Sequence, residues 1–522
     1  MAGGLLNLVS YGSQNVILNG NPSKTFFKCA YAKYTNFGMQ KFRVDYDGQK
    51  TLRLSQDSKF TFKFPRYADL LMDTYLVVTL PTIWSPFYSP DDDSSTCFPY
   101  EFKWIDNLGT QMIKEITFSV SGHIIQKFSG QYLYNLVERD FSVKRGLYYK
   151  MTGNVDELND PAAFNDGLYP NAVPTVESHG AEPSIRSRKL YIPINVWFTL
   201  MHKLAFPLVS VQYGELQMEI TLRPIEDLFV VRDVTGDDPT KYVKANQNIS
   251  EYGFYRFLHQ PPIDGEYTDK RTDWMADIHL LSTYCFLSEE EVRVFAAQPQ
   301  NYLIKQVYEY TIENSTGNGR ATIDSLGMVS NWMWYFQRSD VNLRNEWSNY
   351  SNWPYKGVKP YPVMEDDTCE SPNAGVFQIE NQEEILLGWG ILLNGEYREN
   401  YMDSGVYKYV EQYTRTSGYT NDGLYCYNFC LNTDPLTCQP SGGLNVSNFK
   451  TVEFEYATHQ PPLDPDAQTL TICDPDSTDG LPIGINKPVW RLYDYNYNLH
   501  IFEERYNVLK IQSGNAGLMY AR

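Results

Sequence analysis

Histidine and cysteine are sparse in this 522-residue sequence, at seven and eight residues. The histidines (His123, His179, His202, His259, His279, His459 and His500) contain no close pair and no His-Glu-x-x-His pattern. Nothing in their spacing therefore marks a catalytic or zinc site. The cysteines, at Cys29, Cys97, Cys285, Cys369, Cys426, Cys430, Cys438 and Cys473, are few for the length, and reduced thiols are expected rather than a disulfide framework. Cys426 and Cys430 fall in one strand phase and are expected to share a buried face, with a zinc site including Cys438 as the weaker alternative. Gly317-Asn318-Gly319 and Ser441-Gly442-Gly443 lack the Lys-Ser/Thr of a phosphate loop. Asp474, Asp476 and Asp479-Gly480 are out of register with an EF-hand, so an exposed acidic turn is expected there. No catalytic residue, metal or cofactor is assigned.

Long apolar runs are also missing, and none approaches the roughly 18 residues of a membrane span. The first twenty residues lack the basic start and cleavage pattern of a signal peptide, and Met1-Ala2-Gly3 is not a myristoylation start. A soluble chain made in the cytosol is expected. Basic charge is in deficit: the net charge is -19. Nonspecific nucleic-acid affinity rests on Lys and Arg displacing counterions, so this balance argues against a genome-coating role. The start is the exception, with ten basic and five acidic residues through Leu80. Such a segment favours acidic neighbours or an anionic membrane surface, or else is a solvated strand face.

What is present is strand pattern. Phe60-Thr61-Phe62-Lys63-Phe64 alternates with period two, as do Leu216, Met218, Ile220 and Leu222 against polar neighbours. Similar segments recur at 74–80, 113–120, 190–198, 274–286, 302–312, 328–336, 385–393, 424–431, 452–456 and 490–509. Turn clusters at 89–93, 235–239 and 474–477 separate them. Helical patterns are short, at 131–140, 289–297 behind a Ser288 cap, and 406–415. Many short strands with few helices read as sandwiches or jelly rolls. Length favours two domains, and the best boundary follows Leu222-Arg223-Pro224.

The order Met1-Ala2-Gly3-Gly4-Leu5-Leu6, Tyr11-Gly12-Ser13-Gln14-Asn15, Gly20-Asn21-Pro22, Thr25-Phe26-Phe27-Lys28 and Tyr34-Thr35-Asn36-Phe37 resembles the amino terminus of major capsid proteins of nucleocytoplasmic large DNA viruses. Four later blocks agree. They are Trp104 to Gly109 leading to Gly122-His123-Ile124-Ile125; Trp197-Phe198 through Pro207-Leu208-Val209 to Gln212-Tyr213; Pro440-Ser441-Gly442-Gly443 with Asn448-Phe449; and Tyr506 to Lys510 with Ser513-Gly514. Departures include Ala32-Lys33 in place of an Arg pair, Met201-His202-Lys203 in place of an Asn-Pro-Gly-like turn, and Lys450 to Glu453 after Asn448-Phe449 in place of Ser-Arg-Ile-Asp.

The resemblance implies an all-β fold of two consecutive eight-stranded jelly rolls with short helices and long loops. The expected layout is an extended amino-terminal arm over 1–25, a first roll over 26–225 and a second over 226–522. It implies a non-enzymatic structural protein of the virion, made and assembled in host cytoplasm. Three copies are expected to form a pseudo-hexagonal capsomer that tiles an icosahedral shell. Its partners would be itself, neighbouring capsomers and minor capsid proteins, near an internal membrane and without direct genome binding. The arm, rich in Gly and Asn, is cheap to bend and is expected to lie along a neighbour. Trp332, Trp334, Trp347, Trp353 and Trp389 supply apolar area for cores and interfaces alike. The stretches 85–103, 151–189 and 338–378 are the candidates for exposed towers or trimer-linking loops. Asn248, Asn314, Asn349 and Asn445 begin Asn-x-Ser/Thr sequons and are the candidate glycan sites. The alternatives are a minor capsid paralogue of the same fold, or a carbohydrate-active β-sandwich using carboxylates such as Glu380, Glu383 and Glu384.

Overall fold

The computed structural model describes residues 3–48, 51–89, 97–176, 180–234, 241–365, 372–419, 421–467, 470–473, 482–487 and 489–520. Most of the expected turns at 89–93 and 235–239, the acidic turn at 474–480, His179 and Cys369 lie outside them.

Period-two alternation becomes strand with one face in a core. Leu216–Leu222 and Val452–Thr458 both alternate buried and half-buried side chains along their whole length. Two β-sandwiches result, all of whose strand pairs are antiparallel. In the first, one sheet runs in the order Phe37–Val44, His279–Leu287, Leu70–Thr79, Lys189–Pro193. The facing sheet runs Tyr46–Gly48, Ser58–Lys63, Leu216–Leu222, Ile113–Val120, His123–Phe128. In the second sandwich, Gln300–Ile312, Tyr497–Gln512, Met328–Arg338 and Leu424–Asn428 form one sheet. Asn318–Ile323, Val452–Thr458, Leu386–Leu393 and Glu396–Asp403 form the other.

The expected division after residue 225 needs correction. His279–Leu287 pairs on one side with Phe37–Val44, Leu287 opposite Phe37, and on the other with Leu70–Thr79, His279 opposite Val77. A strand from beyond the expected boundary thus completes the first sandwich. Alternation identifies a strand and its buried face, but ladder hydrogen bonds join backbones, so it does not name the partner.

Large aromatics dominate the second core. The rings of Trp334 and Trp389 stack with centroids 4.4 Å apart, and Trp332 meets Phe454 edge-on at 5.0 Å. Trp332, Trp334 and Trp389 are therefore core, while Trp347 and Trp353 are half-buried. The first core, around Phe60, Phe118 and Met218, runs on without a break into Ile304, Tyr335 and Phe502 of the second sandwich. The interior of the second sandwich, around Trp332, Trp334 and Trp389, is a separate cluster.

The helical patterns at 131–140 and 289–297 appear as Gly130–Asp140 and Glu289–Ala297. The Ser288 side chain makes no cap hydrogen bond, whereas that of Ser129 accepts from the Tyr132 N–H at 3.3 Å. The third begins as a wide π turn over Val406–Val410 and tightens to an α-helix over Glu411–Arg415.

The expected extended arm changes, and of the two readings of the basic start the solvated strand face is the one seen. The arm is not extended throughout: Leu6–Val9 and Val16–Asn19 are single helical turns, and none of their residues is buried. The basic character of the following strands is largely cancelled within the chain. Lys59 pairs with Glu219 at 2.6 Å, Lys63 with Asp47 at 3.4 Å and Lys41 with Asp73 at 3.3 Å. These lysines form a solvated, self-neutralised sheet face. Such exposed pairs contribute little to stability, and they remove the surplus charge that would draw an anionic partner.

Candidate assembly surface and the seam behind it

A protein that builds a shell needs a rigid body and exposed apolar surface, and each can be traced to residues. Rigidity begins with Gly130–Asp140, an amphipathic helix buried at every position between the two sandwiches. Its last turn holds Arg139, whose guanidinium donates to Glu504 at 2.7 Å, to Asp140 at 2.7 Å and to Asn331 at 3.0 Å. Asn331 in turn donates to the other Glu504 oxygen at 2.9 Å, the Tyr132 hydroxyl donates to Glu504 at 3.1 Å, and Lys305 stands 3.7 Å away. Two cations thus face two carboxylates, with Arg139, Asp140 and Glu504 buried and Lys305 partly exposed at the rim.

Burial alone would keep Glu504 protonated. Arg139, Lys305 and Asn331 outweigh it and hold the carboxyl down at about 2. Asp140 behaves differently: burial pushes its carboxyl up despite the same guanidinium. Arg139 is shared, and Glu504 is held lower because Lys305 and the Asn331 amide also serve it.

Further bonds cross the seam along its length. Tyr350 donates to Asn135 at 2.8 Å and accepts from Gln131 at 3.0 Å. Asn345 donates to the Phe229 carbonyl at 2.9 Å, and the Arg223 guanidinium lies 4.2 Å over the Trp347 ring. Gly418 is packed on the helix end, its N–H donating to the Arg139 carbonyl at 2.8 Å. A Cβ there would stand 2.4 Å from the Glu138 carbonyl oxygen, so only glycine allows this approach. Part of the stretch 338–378 is therefore seam, while Val358, Tyr361, Val363, Val376 and Phe377 are exposed.

Exposed apolar residues gather in three places. The arm presents Leu5, Leu6, Leu8, Val9, Ile17 and Leu18, and Phe26 and Phe27 just beyond it continue the surface, the last 98 % exposed. At the ends of two sheets, Phe37 and Met39 of Phe37–Val44 and Tyr397 and Tyr401 of Glu396–Asp403 face out. On the helix of 406–415, Tyr409 and Tyr413 stand one turn apart, the latter 91 % exposed. Patches of this kind mark association surfaces. They were not foreseen individually, because alternation shows which face of a strand is buried and not which sheet edge is left open.

The sequence-derived candidates are placed apart. Asn248, Asn314 and Asn445 are exposed. Asn349 is half-buried and committed to its own turn: its amide donates to the Trp353 carbonyl at 2.7 Å and its oxygen accepts from the Ser351 hydroxyl at 2.7 Å. Cys426 and Cys430 are both buried, and burial pushes the Cys426 thiol up to about 12, while Cys438 is exposed beside Met201. Glu384 pairs with Lys408 at 2.5 Å, and burial together with Asp422 and Glu384 pushes the Glu383 carboxyl up. Among the described residues no three His, Cys, Asp or Glu side chains are grouped as metal ligands, and no helix is long and apolar enough to cross a membrane.

Known proteins show the same two-part layout. Residues 25–287 match the family described as the major capsid protein N-terminus, and residues 291–517 match the large eukaryotic DNA virus major capsid protein. The chain belongs to the major capsid proteins of large eukaryotic DNA viruses. Among relatives, the major capsid protein of Phaeocystis pouchetii virus is 25 % identical over 591 aligned positions, covering 100 % of both chains. That of Paramecium bursaria Chlorella virus 1 is 25 % identical over 543, again covering 100 % of both. The major capsid protein of Chrysochromulina ericina virus is 29 % identical over 347, a match covering 61 % of this chain and 54 % of that one.

Solved structures agree on the fold. The PBCV-1 capsid in a quasi-atomic model aligns over 95 % of this chain and 100 % of its own, with a TM-score of 0.62 at 20 % identity. The Faustovirus major capsid protein aligns over 94 % and 93 %, with 0.61 at 13 % identity. The two sandwiches are the double jelly roll of this capsid family. As a capsid protein, the chain is a structural component of the virion.

Proposed function

We propose that three copies of this capsid protein associate into a pseudo-hexagonal capsomer, and that these capsomers tile an icosahedral shell. The observation that carries this reading is the buried Arg139–Glu504 seam, which makes two similar sandwiches one rigid body. Three such bodies around an axis present six sandwiches, and closed cyclic symmetry buries each exposed edge against the same neighbour surface. The division between rolls is proposed to lie between Leu287, the last strand residue of the first, and Gln300, the first of the second.

The exposed arm is proposed to dock on neighbouring capsomers or minor capsid proteins, with Lys24 toward the membrane side of the shell. Assembly in host cytoplasm, the absence of catalysis, and the absence of direct genome contact complete the reading. Any glycan would sit on Asn248, Asn314 or Asn445, since Asn349 is tied into its turn. The test is mass in solution. Light scattering on the purified protein should give three times the chain mass of 60.3 kDa. A stable monomer across the micromolar range would reject the capsomer.

A further inference from the structure

A cleft of about 950 Å³ opens where the first roll meets the segment 344–361 of the second. Its wall mixes aromatic rings with five asparagine side chains. Tyr242 and Tyr355 are half-buried and Tyr361 is exposed, so ring surface is open to a ligand. Tyr355 is held at φ +55°, a left-handed conformation that costs a bulky residue energy and is found where a side chain is placed for contact.

Charge narrows the ligand. Four Lys or Arg and four Asp or Glu line the cleft, so its formal sum is zero. Lys103 is bonded to Asp160 at 3.0 Å and lies 4.0 Å over the Tyr242 ring, while Arg344 is held by Asp340 and Glu346 at 3.0 Å each. With Lys103 and Arg344 engaged and four carboxylates on the same wall, a phosphate or sulfate would meet as much negative as positive charge. Two buried wall atoms lack a hydrogen-bond partner, Nε1 of Trp104 and Oδ1 of Asn345, one a donor and one an acceptor.

We propose that this cleft binds a neutral oligosaccharide, its C–H faces on Tyr355 and Tyr361 and its hydroxyls toward the asparagines. The volume lies in the range of small-molecule sites, and rings with amides suit an uncharged polyol. The site lies within one chain, so the proposal is independent of the trimer.

The experiment titrates the full-length purified protein, by saturation-transfer NMR and calorimetry, with neutral tri- and tetrasaccharides and with sialylated, sulfated and uronic ones. Binding of a neutral member is expected, unchanged in ~0.5 M salt. It should weaken about tenfold or more in Tyr355→Ala and in Tyr361→Ala, and survive in Tyr361→Phe. Tyr361 is exposed, so its variants report even where Tyr355→Ala fails to fold. Glycopeptides released from virion protein, set beside free glycans of a host surface, distinguish a ligand carried by another copy from one carried by a cell. Absence of neutral binding, binding of acidic glycans alone with displacement by salt, or indifference to both alanine changes would each overturn the proposal.

Discussion

Arg139 and Glu504 meet at 2.7 Å with side chains 1 % and 2 % exposed, although 365 positions separate them in sequence. One residue ends a helix of the first roll's half of the chain, and the other lies in the longest strand of the second, Tyr497–Gln512. Removing one partner leaves the other charge buried. Arg139→Met or Glu504→Leu should each cost about 3–5 kcal/mol, and the double variant less than the sum of the two. Urea unfolding of all four proteins measures it. Additive losses would mean that the two residues do not interact.

The same pair sets an acid limit. Glu504 titrates at about 2 in the folded protein, below the ordinary glutamate range, so between the two values the unfolded chain binds more protons. Its contribution is present above the ordinary value and is lost as pH falls toward 2. Asp140, raised by burial, has the opposite sign, so total stability is a poor readout. The difference between wild type and Glu504→Gln isolates the term, and that difference should shrink steadily from pH 5 to pH 2.5. A gap that stays constant over this range would contradict it.

In the second core, Trp334→Ala or Trp389→Ala should cost about 3–5 kcal/mol, through lost apolar burial and an unfilled cavity. Half-buried Trp353→Ala should cost clearly less. Thermal melts of the three variants rank them, and equal losses would show that the stacked pair is not the core's centre.

Deleting residues 1–25 should leave the melting temperature unchanged, because no described residue of that segment is buried. Trimers should persist and shell formation should stop. Electron microscopy of the assembly reaction, together with a melt, separates the two effects. Normal shells from the truncated chain would refute the docking role.

Gly418→Ala should destabilise the protein and disturb the seam rather than either sheet, since its Cβ would strike the helix backbone at Glu138 and Arg139. Amide exchange should accelerate over Gly130–Asp140 while the strands of both rolls keep their protection. Uniform acceleration throughout would point to global destabilisation instead.

Much of this architecture was legible before any coordinates. Period-two patterns placed Ile113–Val120 and Leu216–Leu222, and the short helix signal placed Gly130–Asp140, because burial of one face is a local property of residue order. The ordered blocks from Met1 to Gly514 carried the capsid resemblance, which the family matches over 25–287 and 291–517 support. Only the tertiary structure decided partners. It drew His279–Leu287 into the first roll, cancelled the strand lysines with carboxylates from other segments, and sent three of the five tryptophans into core. It also brought Arg139 to Glu504 and left Tyr413 and the arm in the open. Pairing across hundreds of residues depends on backbone hydrogen bonds common to every strand and on packing between distant faces. Residue order therefore determined which faces must be hidden, and the fold determined what hides them.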